Sequence, residues 1–460
     1  MNLIKQLLIN QMKKANRILP LVILLWAACS TGAQEVYDLS RCISTGLERN
    51  FSVKVARNNQ EIANNNTTRG NAGFLPTVTT TNRFGGSVNS TTQNLNDGSQ
   101  NTTRGIVNTS GTAGINAAVP IFRGFNVQTN WLKLKELKDI EELSTELSME
   151  NLVSRIISEY NYYIQQMEYF RNMEYAVSLS RERVRIDEER YLLGSSSKLE
   201  LLQSIVYLNA DSSQLARQNE QILESEIRLK KLMALENLEE NIRLSDTIII
   251  FNPGLDYNAL LESTLRYNTS LLIARKNQTV SELDYKIIES RAYPYLDMSS
   301  GYNFSYRIYG TGTISDYGTL QINNQNTRTL NYGLTLGMDI FDGFNHRREK
   351  ANARIGIENK KYQYQEVEQD IKADLLTIYY AYENNLRLVK MEEQNLEFAR
   401  ENLDIALERY RLGSLSGLEL REVQKSLLDA EQRLISVKYQ TKLAEISLLQ
   451  ISGQIMDHFI

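Results

Sequence analysis

Few side chains in this 460-residue chain have the type and spacing to do chemistry. Its only histidines, His346 and His458, lie far apart, so histidine-dependent triads and zinc clusters lack material. No glycine loop of the phosphate-cradling kind follows a strand. Enzyme activity, a cofactor and a metal site are therefore not expected. What remains is "LELREVQ", where Glu419 and Glu422 are three residues apart and share a helix face. Paired carboxylates there act by charge, although most such pairs are solvated helix surface. The segment belongs to "RYRLGSLSGLELRE", beginning at Arg409, and a near copy, "RYLLGSSSKLELLQ", begins at Arg190, 219 positions earlier.

The elements that position these residues are written twice. "IFRGF" at Ile121 recurs as "IFDGF" at Ile340, and Tyr160 and Tyr163 recur as Tyr379 and Tyr382. Pro76 matches Pro294 at an offset of 218. One period this long indicates an internal duplication rather than a solenoid. The first repeat is placed at 34–236: helix 37–72, strands 76–88 and 107–122, long helix 125–192, turn 193–197 and helix 198–236. A linker spans 237–254. The second repeat, 255–452, carries helix 256–291, strands 294–309 and 328–341, long helix 345–411, turn 412–416 and helix 417–452, before a tail at 453–460. Leu420, Val423, Leu427, Ala430, Leu434 and Val437 alternate by three and four, a coiled-coil seam. A helix of about 66 residues reaches near 100 Å, beyond a compact domain of this size.

The first 33 residues resemble an address. Lys5, Lys13, Lys14 and Arg17 precede the apolar "ILPLVILLWAA", which is too short for a membrane helix and fits a signal peptide over residues 1–33. Cys29 in "WAACS" offers a rival reading, as a lipid-modified first residue; either way the chain leaves the cytoplasm. If Cys29 is removed, Cys42 stands alone and no internal disulfide can form. Loss of the four leader cations takes the formal charge from −4 to near −8, which argues against nucleic acid as a partner.

The strands alternate. Leu296, Met298, Tyr302, Phe304, Tyr306 and Ile308 oppose Asp297, Ser299, Asn303, Ser305 and Arg307; Leu330, Tyr332, Leu334, Leu336, Met338 and Ile340 oppose Asn331, Gly333, Thr335, Gly337 and Asp339. Such alternation fits a soluble half-buried hairpin or a membrane barrel. The polar stretches between strands, "GGSVNSTTQNLNDGSQNTTRGIVNTSG" and "GTGTISDYGTLQINNQNT", favour the barrel as long outward loops. Four strands cannot close in lipid, where an open edge is not tolerated. The chain must then assemble, and three copies supply twelve strands.

The ordered, duplicated set resembles the outer-membrane efflux protein family, the TolC-like exit ducts, over about residues 36–453. It comprises "FLP" at Phe74, the "IF-x-GF" strand exits and the twin "RY-x-LGS" turns. The second hairpin departs from it, opening with "AYPYL". The resemblance implies a mainly α fold with membrane β, in which long antiparallel coiled-coil helices form a trimeric tunnel below a twelve-stranded transmembrane barrel. It implies a homotrimer in the outer membrane of a Gram-negative bacterium, in contact with its lipid and largely periplasmic. A periplasmic adaptor would link it to an inner-membrane pump, for efflux or type I secretion. Leu193, Gly194, Ser195, Leu412, Gly413 and Ser414 would be adaptor-docking tips, although a helical-hairpin turn alone accounts for their types. Glu419 and Glu422, with Glu200 in the first copy, would line the tunnel constriction. Arg190, Tyr191, Arg409 and Tyr410 are candidates for bonds that close the tip, or for plain anchors. The alternative function is a non-conducting periplasmic coiled-coil protein.

Overall fold

The computed structural model describes residues 36–310, 313–314 and 323–459. The signal segment and Cys29 lie outside the described residues, as does most of the polar stretch beginning at Gly310. In chain order the elements are β1 (Val36–Tyr37), α1 (Leu39–Arg49), α2 (Phe51–Asn66), α3 (Arg69–Ala72), β2 (Thr77–Asn94), β3 (Gln100–Arg123), α4 (Asn126–Leu192) and α5 (Lys198–Met233). Then follow β4 (Arg243–Leu244), α6 (Tyr257–Tyr267), α7 (Thr269–Ser290), β5 (Tyr295–Tyr309), β6 (Thr313–Ile314), β7 (Asn323–Gly337), α8 (Asn345–Arg411), α9 (Gly417–Ile451) and α10 (Ile455–Phe459). They divide into two compact units, each drawing on both halves of the sequence. Among the described residues no helix is long and apolar enough to cross a membrane.

One unit holds residues 36–55, 147–268 and 371–459. Its α8 portion buries Leu375, Tyr382, Val389, Leu396, Leu403 and Tyr410, one residue every seventh position. That strict heptad keeps one seam facing inward. From Val389 to Tyr410 it packs on Leu420, Leu427, Ala430 and Leu434 of α9, with Leu179 and Ile186 of α4 alongside, while Leu375 and Tyr382 join Leu260 of α6 and Ala444 and Leu448 of α9. Each fully buried leucine contributes about 1.5–3 kcal/mol. A second cluster joins Cys42, Ile43 and Val53 to Leu152, Ile156, Leu229 and Met233.

The helices expected over 37–72 and 256–291 are each broken, at Asn50 and Asn268, whose backbones turn extended. Asparagine competes locally for backbone groups, and Asn50 Oδ1 takes the Ser52 N–H at 2.9 Å. The matched side chains also reach the ends of the last helices: Asn50 Nδ2 donates to Leu232 O at 2.8 Å, and Asn268 Nδ2 to Ile451 O at 2.9 Å. Each helix end so reached closes with a left-handed residue, Ala234 (φ +50°) in the first half and Gly453 (φ +70°) in the second.

The linker is tied down by duplicated groups. Glu226 accepts the Ile242 N–H at 2.9 Å, and Glu445, 219 residues on, accepts that of Asn252 at 3.2 Å. Tyr160 donates to Asp246 at 2.7 Å, while in the second half it is Tyr382, the match of Tyr163 rather than of Tyr160, that donates to Asn252 O. Within the linker β4 pairs in parallel with β1, and the tail carries the short α10.

The other unit holds residues 56–146 and 269–370. Its sheet runs β2-β3-β5-β7, antiparallel throughout, with β6 paired to β3. β2 and β7 are open edges. The first polar stretch is not a long loop. β2 and β3 continue through it from Thr77↔Ala118 to Asn94↔Gln100, with one register shift between Asn89 and Thr91, because its threonines and valines suit a pleated ladder. Reversal takes only residues 95–99, where Gly98 has φ +78° and Asp97 accepts from Ser99. β7 stops at Gly337 rather than 341, since its partner begins at Tyr295 and offers no further ladder. Arg123 clamps the strand ends through Asp297 at 3.1 and 2.8 Å.

Candidate functional site

The duplicated turns are built alike. Gly194 (φ +72°) and Gly413 (φ +78°) are left-handed, a backbone region where a side chain is penalised. Ser195 N–H reaches Arg190 O and Gly194 N–H reaches Tyr191 O, at 2.9 and 3.0 Å. Ser414 to Arg409 and Gly413 to Tyr410 repeat both bonds at the same lengths. This paired closure satisfies carbonyls that the helix end leaves open. Ser197 and Ser416 then start the descending helices by accepting the Glu200 and Glu419 N–H groups. Glu419 returns the favour, its carboxylate taking the Ser416 N–H at 2.9 Å and Oγ–H at 2.8 Å. Those bonds hold the Glu419 carboxyl below its ordinary range.

Just inside the turns lies a buried polar cluster spanning four helices. Tyr410 of α8, 3 % exposed, donates to Asp187 of α4. Arg190 of α4 donates to Tyr410 O and stacks on the Tyr410 ring at 4.6 Å. Arg183 and Asp187, both buried, approach at 3.7 Å. Arg421 of α9 forms two 2.7 Å bonds to Asp211 of α5, which also accepts from Ser180. Arg183 and Arg421 both lie over the Tyr207 ring, at 5.2 and 5.0 Å. Burial, then the bond to Asp187, pushes the Tyr410 phenol up to about 12, so it stays a donor at neutral pH. Asp187 Oδ2, Arg183 Nε and Nη1 and both amide ends of Gln424 lack hydrogen bonds. The cluster is cohesive yet incompletely satisfied, an arrangement that makes separation of its helices costly while leaving polar groups unpaired.

Of the residues expected at the tip, Arg190 and Tyr410 meet across helices. Their counterparts do not: Tyr191 is 41 % exposed, and Arg409 donates within its own turn, to Ser414 O at 3.4 Å. Leu193 and Leu412 stand almost fully in solvent beside Gly194, Ser195, Gly413 and Ser414. Glu200 and Glu419 are exposed on the first turns of their helices and Glu422 on the second turn of α9, with Glu200 bonded to Ser196. Sequence reasoning missed Arg183, Asp187, Tyr207, Asp211 and Arg421. A signal existed in the duplication, since at the same offset these match Asn402, Ala406, Ser426, Ala430 and Leu202. Charged residues present in one half alone mark where the halves meet unequally.

This geometry has relatives. The profile described as "Outer membrane efflux protein" matches residues 42–235 and again 260–454. TolC of Vibrio cholerae is 22% identical over 206 residues, which cover 43% of this chain and less than half, 44%, of that protein. Among solved structures, VceC of Vibrio cholerae superposes with a TM-score of 0.72 at 16% identity, over 90% of this chain and 96% of that one. The CmeC channel of Campylobacter jejuni gives 0.70 at 16%, over 90% and 85%. CusC gives 0.73 at 15%, over 90% and 92%. Matched once by each repeat, and with the fold of these channels, the chain belongs to the outer membrane efflux protein family, a family of outer-membrane channels rather than enzymes.

Proposed function

We propose that three copies assemble into an exit duct that passively conducts substrates delivered by an inner-membrane pump through a periplasmic adaptor. The observation that carries this reading is the open sheet. In an outer-membrane chain, edges at β2 and β7 expose ladder groups that lipid cannot satisfy. Joining β7 of one copy to β2 of the next removes both edges, and small membrane barrels need about eight strands or more, so three copies suffice with twelve.

The turns at 193–197 and 412–416 then form the periplasmic tip, with exposed Leu193 and Leu412 offered to the adaptor. Glu419 and Glu422 form rings of carboxylates at the narrow end, with Glu200 nearby, and such rings admit cations ahead of anions. The lowered Glu419 carboxyl supports a ring charged at neutral pH. The Tyr410–Asp187–Arg190 contacts resist parting of the helices at that end, so opening must break them.

Single-channel recording tests the reading. The wild-type assembly is expected to conduct with cation preference, and Glu419→Ala with Glu422→Ala to lose much of that preference at similar or larger conductance. A non-conducting protein excludes the duct and leaves a periplasmic coiled-coil scaffold; unchanged selectivity in the double variant excludes the carboxylate constriction alone.

A further inference from the structure

The two faces of the strand sheet differ in charge as well as in polarity. Residues directly opposite on neighbouring strands share a face, and so do residues two apart on one strand. Arg83 of β2 lies opposite Thr112 of β3, and Thr112 opposite Ser305 of β5. One row further from the helices, Gly85 lies opposite Ser110, and Ser110 opposite Arg307. Arg83 and Arg307 therefore project from one face, in adjacent rows of the ladder. That face is the polar one, since Phe84, Phe304 and Tyr306 alternate with these residues and take the other.

The two cations stand unopposed. Among the described residues, the polar face of these strands carries one acid, Asp297, which lies at the helix end of β5 and is held by Arg123. Gly85, Ser110, Thr112 and Ser305, between the arginines, are small, and both arginines are exposed. A β-carbon added at Gly85 would meet nothing within 4 Å, so that side of the face is open. Arg307 is held in place there: its Nη1 donates to Tyr309 Oη at 3.0 Å, and that hydroxyl donates to Gln325 Oε1 at 3.2 Å. On a soluble sheet such cations would be solvated surface. In a barrel the polar face is the lumen, where a fixed charge acts on whatever passes.

The sheet order β2-β3-β5-β7 puts these arginines on the first and third strands. Copies joined edge to edge repeat that order, so an arginine falls on every second strand around the barrel. We propose that Arg83 and Arg307 form an arginine belt in the lumen that determines specificity there, attracting anions and the carboxylate or phosphate groups of cargo. The inference rests on the barrel and duct proposed above. It gives the duct a second charged site, opposite in sign to the carboxylates of Glu419 and Glu422. The belt works against cation preference, so removing its charge should strengthen that preference.

Reversal potentials test it. The processed, assembled protein is placed in planar bilayers of phosphatidylcholine, between about 0.1 M and about 0.01 M KCl, where fixed charges act over roughly 10–30 Å. Arg83→Ser with Arg307→Ser is expected to raise the potassium-to-chloride permeability ratio about two-fold over wild type. Arg83→Ser alone, at an exposed position, should give part of that rise, and decides the matter if the serine pair does not assemble. Arg83→Lys with Arg307→Lys keeps the charge and should keep the wild-type ratio. Arg328→Ser removes the same charge from the other face, where Arg328 lies opposite Phe304, and should leave the ratio unchanged. An unchanged ratio in the conducting serine variants would overturn the belt and leave the duct standing. So would a rise in the lysine pair, which traces the change to strand packing, or an equal rise with Arg328→Ser, which traces it to total charge. If the wild-type protein does not conduct, the duct reading fails and the belt with it.

Discussion

Tyr410 shows how one side chain sets a pH window. Its phenol lies well above the ordinary value of 10 in the fold, so the protonated form is the one the fold favours. The stabilisation is complete below pH 10 and is lost as pH rises from 10 toward 12. Tyr410→Phe should weaken the alkaline dependence without abolishing it, since Tyr160 and Tyr439 of the same unit are raised by burial too, and should destabilise the helical unit by about 1–3 kcal/mol, because Asp187 keeps its burial without its donor; denaturant melts at pH 8 and pH 11 measure both effects. Ala234 makes the opposite prediction. Ala234→Gly relieves a left-handed β-carbon that the second half avoids with Gly453, and should stabilise by about 1 kcal/mol, read as a raised Tm. The tip glycines were legible as a helical-hairpin turn from residue type and spacing. Asp187 and Asp211 were not, because a carboxylate on a long charged helix resembles solvated surface until a second helix covers it.

The elements owe their length to two different repeats. The seven-residue seam of α8 makes its burial regular, so a cut at any seam position should act alike. Leu403→Ala, at a fully buried position, should cost about 2–5 kcal/mol, while Phe398→Ala on the exposed side should cost under about 1 kcal/mol; thermal denaturation of both variants checks this. The long helices and the seam from Leu420 to Val437 were readable because few prolines and an unbroken period leave little choice, whereas the seam of α8 emerged only from its burial. The helix breaks at Asn50 and Asn268 were not, since apolar periodicity continues through them and the cause is a tertiary bond to the end of another helix. The polar stretch around Gly98 was misread for a related reason. Polarity suggested a loop, but threonine forms ladders whichever way its hydroxyl faces, so the hairpin runs on to a five-residue turn. At the same scale, Ser416→Ala should cost the α9 start about 1 kcal/mol, and the wild-type advantage should fade as pH drops below the ordinary carboxylate value, because protonated Glu419 no longer accepts from Ser416.

For the molecule as a whole, duplication explains why two halves with little shared sequence carry the same turns, exits and linker anchors. It also explains the unequal cluster behind the tip, which holds together two halves that have diverged. The sheet edges were legible in the count of alternating strands. How copies pair is a matter of symmetry that one chain does not carry. The central claim is that lipid forces β2 and β7 of neighbouring copies together. Native mass spectrometry of the processed protein, released directly from lipid nanodiscs, tests it most directly. Three chains per particle is the predicted result; a particle containing a single chain, stable in the bilayer, would contradict the account.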